Sequence, residues 1–219
     1  GFSVEGIDVT AVARNFVLQA LPGRLGRNLA DLGPFNGRLQ VAGHAEKLSI
    51  SNADLTTLSP LGLRVEATGG IAVIRFTGDK PVEGMNLSLK ASAPAWTALP
   101  AAAGLDLPDL GPLQATAKIY GGSGRGFDVE PFEILAGNAQ QEVLHVQGQI
   151  LRIGIRDQVA LDAVFETGSR PWAAHYLQRP EAMNVPLTGA IRATTDADGL
   201  RIDTFRLAAA GDERLSMEA

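Results

Sequence analysis

Three segments of the chain share one rhythm of apolar positions: Leu48, Ile50, Ala53, Leu55; Phe127, Val129, Phe132, Ile134; and Leu200, Ile202, Phe205, Leu207. Each steps +2, +3, +2. Steps of two belong to a strand with one dry and one wet face, and a single step of three marks an inserted residue, as in a β-bulge that restores the face. Plainer alternation runs through Leu61, Leu63, Val65, Ala67; Met85, Leu87, Leu89, Ala91; Leu144, Val146, Gly148, Ile150; and Val159, Leu161, Ala163, Phe165. Parallel sheets are buried on both faces and read as continuous apolar runs, so this alternation predicts antiparallel meanders and argues against a Rossmann- or barrel-type enzyme.

The rhythm sits inside a longer repeat. "DLGPF" (31–35) returns as "DLGPL" (109–113), 78 residues later. "NGRLQVAG" and "KLSISNADL" follow the first copy, "QATAKIYGG" and "GFDVEPFEI" the second, and a weaker third copy runs from "NVPLTGAIRA" (184–193) into "GLRIDTFRL" (199–207). Glycine followed by proline interrupts regular structure, so each phrase is predicted to close a connector and open the next sheet unit. The stretches 8–30, 93–108 and 169–184 are expected to be short amphipathic helices. Asp8 and Ser169 suit their caps, Pro171 an early helical position, and Pro22, Pro100 and Pro180 break them. The chain divides accordingly into the end of a preceding repeat with its connecting helix (1–30), two repeat units with following connectors (31–108 and 109–183), and the start of a third, truncated unit (184–219).

Composition removes several classes of function. The net charge over 219 residues is −5 and Lys and Arg form no cluster, which disfavours nucleic acid or an anionic membrane surface as partner. There are no cysteines, hence no disulfides, thiolate nucleophiles or cysteine metal sites. The longest uncharged run, Ala91 to Leu105, is too short to span a bilayer and contains Pro94 and Pro100. A start on Gly1 without a visible signal peptide gives the expectation of a segment from a longer protein.

Candidate chemistry is sparse. "GGSGRG" (121–126) lacks the Gly-Lys-Ser/Thr ending of a phosphate loop and precedes a strand, so it is expected to be a hairpin turn. His44, His145 and His175 lie in different units without ligand spacing, and alternation puts His145 on the wet side. "DADG" (196–199) lacks the other acidic positions of a calcium loop and is expected to be a turn. Asp128 and Glu130 share a strand face, but the wet one, with no opposing carboxylate. Trp96 and Trp172, near connector starts, are expected to pack connectors on the sheet. No catalytic residue, metal site or cofactor is indicated, and the chain is not expected to be an enzyme.

The segments "LPDLGPLQATAKI", "GFDVEPFEILAGN" and "VQGQI" within 107–150, with their partners "LADLGPFNGRLQV" and "KLSISNADL" within 29–55, resemble the AsmA-like proteins of Gram-negative envelopes, of the AsmA, TamB and YhdP type. The resemblance implies a periplasmic body anchored to the inner membrane through parts of the parent protein outside this sequence. It also implies a mainly β fold of repeated meander units forming a curled, elongated β-groove with short connecting helices. That groove would pass phospholipid acyl chains between inner and outer membrane, in outer-membrane biogenesis. The partners implied are phospholipid, membrane through the missing parts, and envelope proteins. The apolar stripes by themselves read first as ordinary core, and their alternation suits a closed sandwich as well as an open trough. Only 5% of residues are aromatic, which leaves few large side chains to fill an interior and favours an aliphatic trough. The residues expected to line it are Leu39, Val41, Leu48, Ile50, Leu63, Val65, Leu87, Leu89, Ile119, Phe127, Val129, Leu144, Val146, Leu161, Ala163, Ile191 and Ile202. The competing expectation is a closed β-repeat scaffold that recruits envelope proteins along its sheet edges.

Overall fold

The computed structural model describes residues 6–16, 34–44, 46–60, 62–75, 81–97, 110–138, 141–155, 158–168, 186–196, 199–209 and 212–218. Its strands are β1 (Ile7–Phe16), β2 (Phe35–His44), β3 (Lys47–Leu58), β4 (Arg64–Arg75), β5 (Val82–Ala93), β6 (Leu113–Gly122), β7 (Gly126–Asn138), β8 (Gln141–Ile153), β9 (Ala160–Thr167), β10 (Leu187–Asp196), β11 (Gly199–Ala209) and β12 (Asp212–Glu218). They form one sheet in chain order, each strand antiparallel to its neighbours. The sheet is curled and open: β1 and β12 stand at its two edges and do not pair with each other. No helix occurs among the described residues.

The bulges fall where the three-steps predict them. Between Gln40↔Ser51 and Arg38↔Asp54, β3 spends one residue more than β2. β7 does the same between Ile119↔Val129 and Ala117↔Phe132, and β11 between Arg192↔Thr204 and Ala193↔Ile202. A bulge bends its strand and tightens the local twist, so every fourth strand carries a bend near its middle. A further pair was not anticipated: β4 gains a residue between Ile71 and Ile74, and β8 between Ile150 and Ile153.

In a meander, alternate connections share a rim. The connections β2–β3, β4–β5, β6–β7, β8–β9 and β10–β11 lie at one rim, and "GGSGRG" is indeed the β6–β7 hairpin, with its turn at 123–125. The "DADG" stretch connects β10 to β11, whose last described pair is Asp196↔Gly199; residues 197 and 198 lie outside the described residues. The opposite rim holds the long connections, after β1, β5 and β9. The glycine-proline phrases end there: β2 and β6 start directly after Pro34 and Pro112, and β10 starts after Pro186 of the weaker third copy, which Val185 precedes. Trp96 N donates to the Gly111 carbonyl, and Gly137 N donates to the Pro112 carbonyl at 2.9 Å, tying the connector's two ends to the sheet.

The dry core sits at this long-connection rim. Leu63, Val65, Ala93, Trp96, Leu110, Leu113 and Ala136 form one buried cluster, with Leu63 and Leu113 enclosed almost completely. Buried hydroxyls there are satisfied: Thr57 Oγ1 donates to the Pro34 carbonyl at 2.8 Å, and Leu63 N donates to Ser59 Oγ at 3.1 Å.

Two expectations need correction. Residues 7–16 form a strand, so Asp8 caps no helix. Ile7, Val9, Ala11 and Ala13 alternate with Asp8, Thr10, Val12 and Arg14, and the β-branched content suits the pleat better than a helix. In the second expected helix, Ala93 ends β5 and residues 94–97 are bends and a turn. Residues 98–108, the stretch 169–184 and Trp172 lie outside the described residues.

Candidate functional site

Cross-strand pairing decides which residues share a face, because paired residues in a sheet point the same way. One row runs Ala13, Gly37, Leu55, Ala67, Leu89, Ala117, Phe132, Gly148, Ala163, Ile191, Phe205, from β1 to β11. Beside it a second row runs Phe35, Thr57, Val65, Ala91, Ala115, Ile134, Val146, Phe165, Gly189, Leu207, from β2 to β11. Neither row contains a charged residue. Thr57 is the one polar member, and its hydroxyl is already spent on Pro34.

The expected lining residues fall on this face. Register places Leu39, Val41, Leu48, Ile50, Val65, Leu87, Leu89 and Ile119 on it, together with Phe127, Val129, Leu144, Val146, Leu161, Ala163, Ile191 and Ile202. Leu63 differs. A tight turn, with Gly62 N on the Ser59 carbonyl at 3.0 Å, holds it before β4, where it is fully buried against the Trp96 cluster. It belongs to the rim core and not to an accessible wall. Phe132, Phe165, Phe205, Ala67 and Gly148, read in the sequence as apolar strand positions but not as lining, complete the rows together with Gly37, Ala117 and Gly189, which the alternation reaches two residues on.

The wall is apolar without being sealed. Away from the rims, only small or singly placed residues such as Ala53, Ala163 and Ala193 are buried, while Leu87, Leu89, Ile119, Val146 and Ile191 are half-buried. No second sheet packs on this face among the described residues, since the extensive strand contacts all join sequence neighbours. From Gly37 to Gly148 large and small side chains alternate along the first row, and in the second row Phe165 lies over Gly189, where an added Cβ would come within 2.2 Å of the ring. Toward the edges the wall opens: Val9 on β1 is 49% exposed, and Leu200 and Ile202 on β11 are 72% and 55% exposed.

The other face carries the charge. Arg192 Nη2 donates to Asp162 Oδ2 at 2.7 Å, His145 Nε2 lies 2.9 Å from Glu133 Oε1, and Gln40 Nε2 donates to Asp8 Oδ1 at 3.0 Å. Asp128 and Glu130 are spent structurally: Asp128 Oδ1 accepts from Arg152 N at 2.8 Å, and Glu130 accepts from the Tyr120 hydroxyl. The Glu130 hydrogen bond holds the Tyr120 phenol above its ordinary pKa. At the hairpin rim Arg75 meets Glu83 through two nitrogens, at 2.6 and 3.2 Å, which raises the guanidinium pKa further. Exposed pairs like these contribute little stability, because water screens them. No cluster of metal-ligating side chains and no membrane-length apolar helix occurs among the described residues.

Among its described residues, then, the molecule offers a long apolar surface with no nucleophile, acid–base pair or ligand set on it. No protein family, curated protein or solved structure matches the chain.

Proposed function

We propose that the chain is a segment of a periplasmic, AsmA-like envelope protein whose apolar β-groove conducts phospholipid acyl chains between inner and outer membrane. The observation that carries this reading is the pair of uncharged rows crossing the sheet. Each methylene kept from water is worth about 0.8 kcal/mol, so a chain of roughly sixteen carbons costs on the order of 12 kcal/mol to expose. A wall of aliphatic side chains lowers that cost equally at every point, and so offers passage without a trap. Twelve strands at about 4.8 Å spacing give the wall a length of roughly 53 Å. One leaflet's tails occupy about half of a ~30 Å hydrocarbon core, so several chains fit end to end. The polar outer face stays in water, and the envelope partners and membrane anchor belong to the parent protein.

The test uses donor vesicles of phosphatidylethanolamine and phosphatidylglycerol with a fluorescently tagged phospholipid. Val146→Glu places a carboxylate in the second row and should abolish extraction, while Gln147→Glu, one residue on and on the outer face, should leave it intact. Both variants should keep the wild-type circular dichroism spectrum. Equal extraction by Val146→Glu and wild type would overturn the proposal.

A further inference from the structure

The two rims of the apolar wall are not alike. At the long-connection rim the chain covers its own wall. Ala93, Leu113, Ala136 and Leu144 stand opposite one another from β5 to β8, and Val65, Ala91, Ala115 and Ile134 from β4 to β7, all on the wall face. Trp96 and Leu110, at the two ends of the β5–β6 connector, share one dry cluster with these residues. The connector ends therefore fold over the groove side of the sheet and not over its outer face. The band continues to either side, where Phe35 and Thr57 on β2 and β3 and Thr167 on β9 are buried at the same rim. Both threonine hydroxyls are spent there, on the Pro34 and Leu187 carbonyls.

At the hairpin rim the same face stays open. Leu48, Ile50, Ile71, Met85, Phe127 and Ile153 keep part of their surface in water. Val82 is the exception, clasped by Ser123, whose Oγ accepts from Val82 N at 3.1 Å and whose N donates to the Val82 carbonyl at 2.8 Å.

We infer that the groove holds its amphiphile in one orientation, the polar end at the hairpin turns and the terminal methyl toward Trp96. A phosphate or carboxylate pushed under the covered rim would lose its water among Leu63, Trp96, Leu110 and Leu113, where no free donor or cation receives it, and an unpaired buried charge is strongly unfavourable. At the hairpin rim the same group stays hydrated. The uncovered stretch of β7 from Phe127 to Ile134 runs roughly 20 Å. A tail of about 15 Å, half of a bilayer's hydrocarbon core, fits within it while slanting from one rim toward the other. The groove thus takes molecules with a single polar end, since one polar at both ends finds no second aqueous rim. The inference rests on the lipid reading above and adds which end of the lipid lies where.

The chain has two tryptophans and no cysteine. Trp172→Phe leaves Trp96 as reporter of the covered rim, and Arg125→Cys labelled with bimane, at the exposed β6–β7 turn, reports on the hairpin rim. Each protein is loaded from phosphatidylcholine vesicles whose lipid carries a nitroxide either on the headgroup or near the terminal methyl, and is separated from the vesicles before reading. Nitroxides quench only at short range and the two positions differ by about 15 Å, so the tail-end label should quench Trp96 at least twice as strongly as the headgroup label. For the bimane the order should reverse. The same order at both reporters, or equal quenching by the two labels, would overturn the orientation while leaving extraction intact. If Trp172→Phe does not fold, the Arg125 reporter decides alone, and stronger quenching there by the tail-end label overturns the inference. A wild-type chain that extracts no lipid would instead remove the conduit reading, and the orientation with it.

Discussion

Leu113 and Leu87 are both leucines on the apolar face, yet their surroundings differ. Leu113 is 1% exposed within the rim cluster, whereas Leu87 in mid-wall keeps part of its surface in water. Leu113→Ala leaves a cavity that its neighbours cannot fill, at about 3 kcal/mol. Leu87→Ala forfeits only partial burial, about 1 kcal/mol. Urea unfolding of the two variants checks the contrast, and equal losses would mean that the wall is packed as tightly as the rim. Leu63 shows why sequence could not draw this line: its alternation with Val65 is faithful, but the turn at Ser59 that carries it into the core leaves no mark on a period of two. On the outer face, Asp203 is held below the ordinary carboxylate range, first by the Thr194 hydroxyl at 2.9 Å and then by Arg201 and Arg192. A depressed folded-state value means that the stabilisation is present above the unfolded carboxylate pKa and is lost as pH falls through the folded one. Thr194→Val should therefore move the Asp203 titration upward, as followed by carboxyl carbon NMR.

Strands tolerate deletion according to whether the deleted residue keeps the alternation. Asn52, at φ 51° in the β3 bulge, is the extra residue. Removing it converts the step of three into a step of two and leaves Ala53, Leu55 and Thr57 on their face. The loss is the Asn52 Nδ2 hydrogen bond to Gln40 Oε1 at 3.2 Å and the bend, about 1 kcal/mol. Deleting Ser88 from β5 instead drives Leu89, Ala91 and Ala93 to the wet face or forces a new bulge, a cost of several kcal/mol. Thermal melts of the two deletions should differ widely, and a similar drop in both would show that the bulge is needed to hold the register. The bulges of β3, β7 and β11 were legible because one inserted residue shifts an otherwise strict alternation. Those of β4 and β8 left only Ile71/Ile74 and Ile150/Ile153, each at a strand end where the pattern has too few residues left to speak. β1 misled because Ala11, Ala13 and Arg14 favour helices in isolation; its pairing with Gly37 to Gly43 of β2 overrides that preference.

For the molecule as a whole, alternation reports that one face is dry but not what dries it, since a facing sheet and a bound acyl chain demand the same residues. Connectivity bears on the first alone: every strand pairs with its sequence neighbours, so the chain supplies no second sheet among its described residues. A wall built from two uncharged rows also fixes what the proposed conduit can distinguish. It has no cation for a phosphate and no carboxylate for an amine, while each added methylene increases the buried area. Uptake should therefore strengthen with acyl length, by about 0.8 kcal/mol per methylene at most. It should stay indifferent to headgroup charge and to salt between low and high ionic strength, because no ion pair is there to screen. Competition of fatty acids and of lysophospholipids with neutral or anionic headgroups against a fluorescent fatty acid measures both dependences. A steep salt dependence with a flat response to chain length would place the binding on the charged outer face around Arg192 and Asp162, and would remove the apolar rows from any part in it.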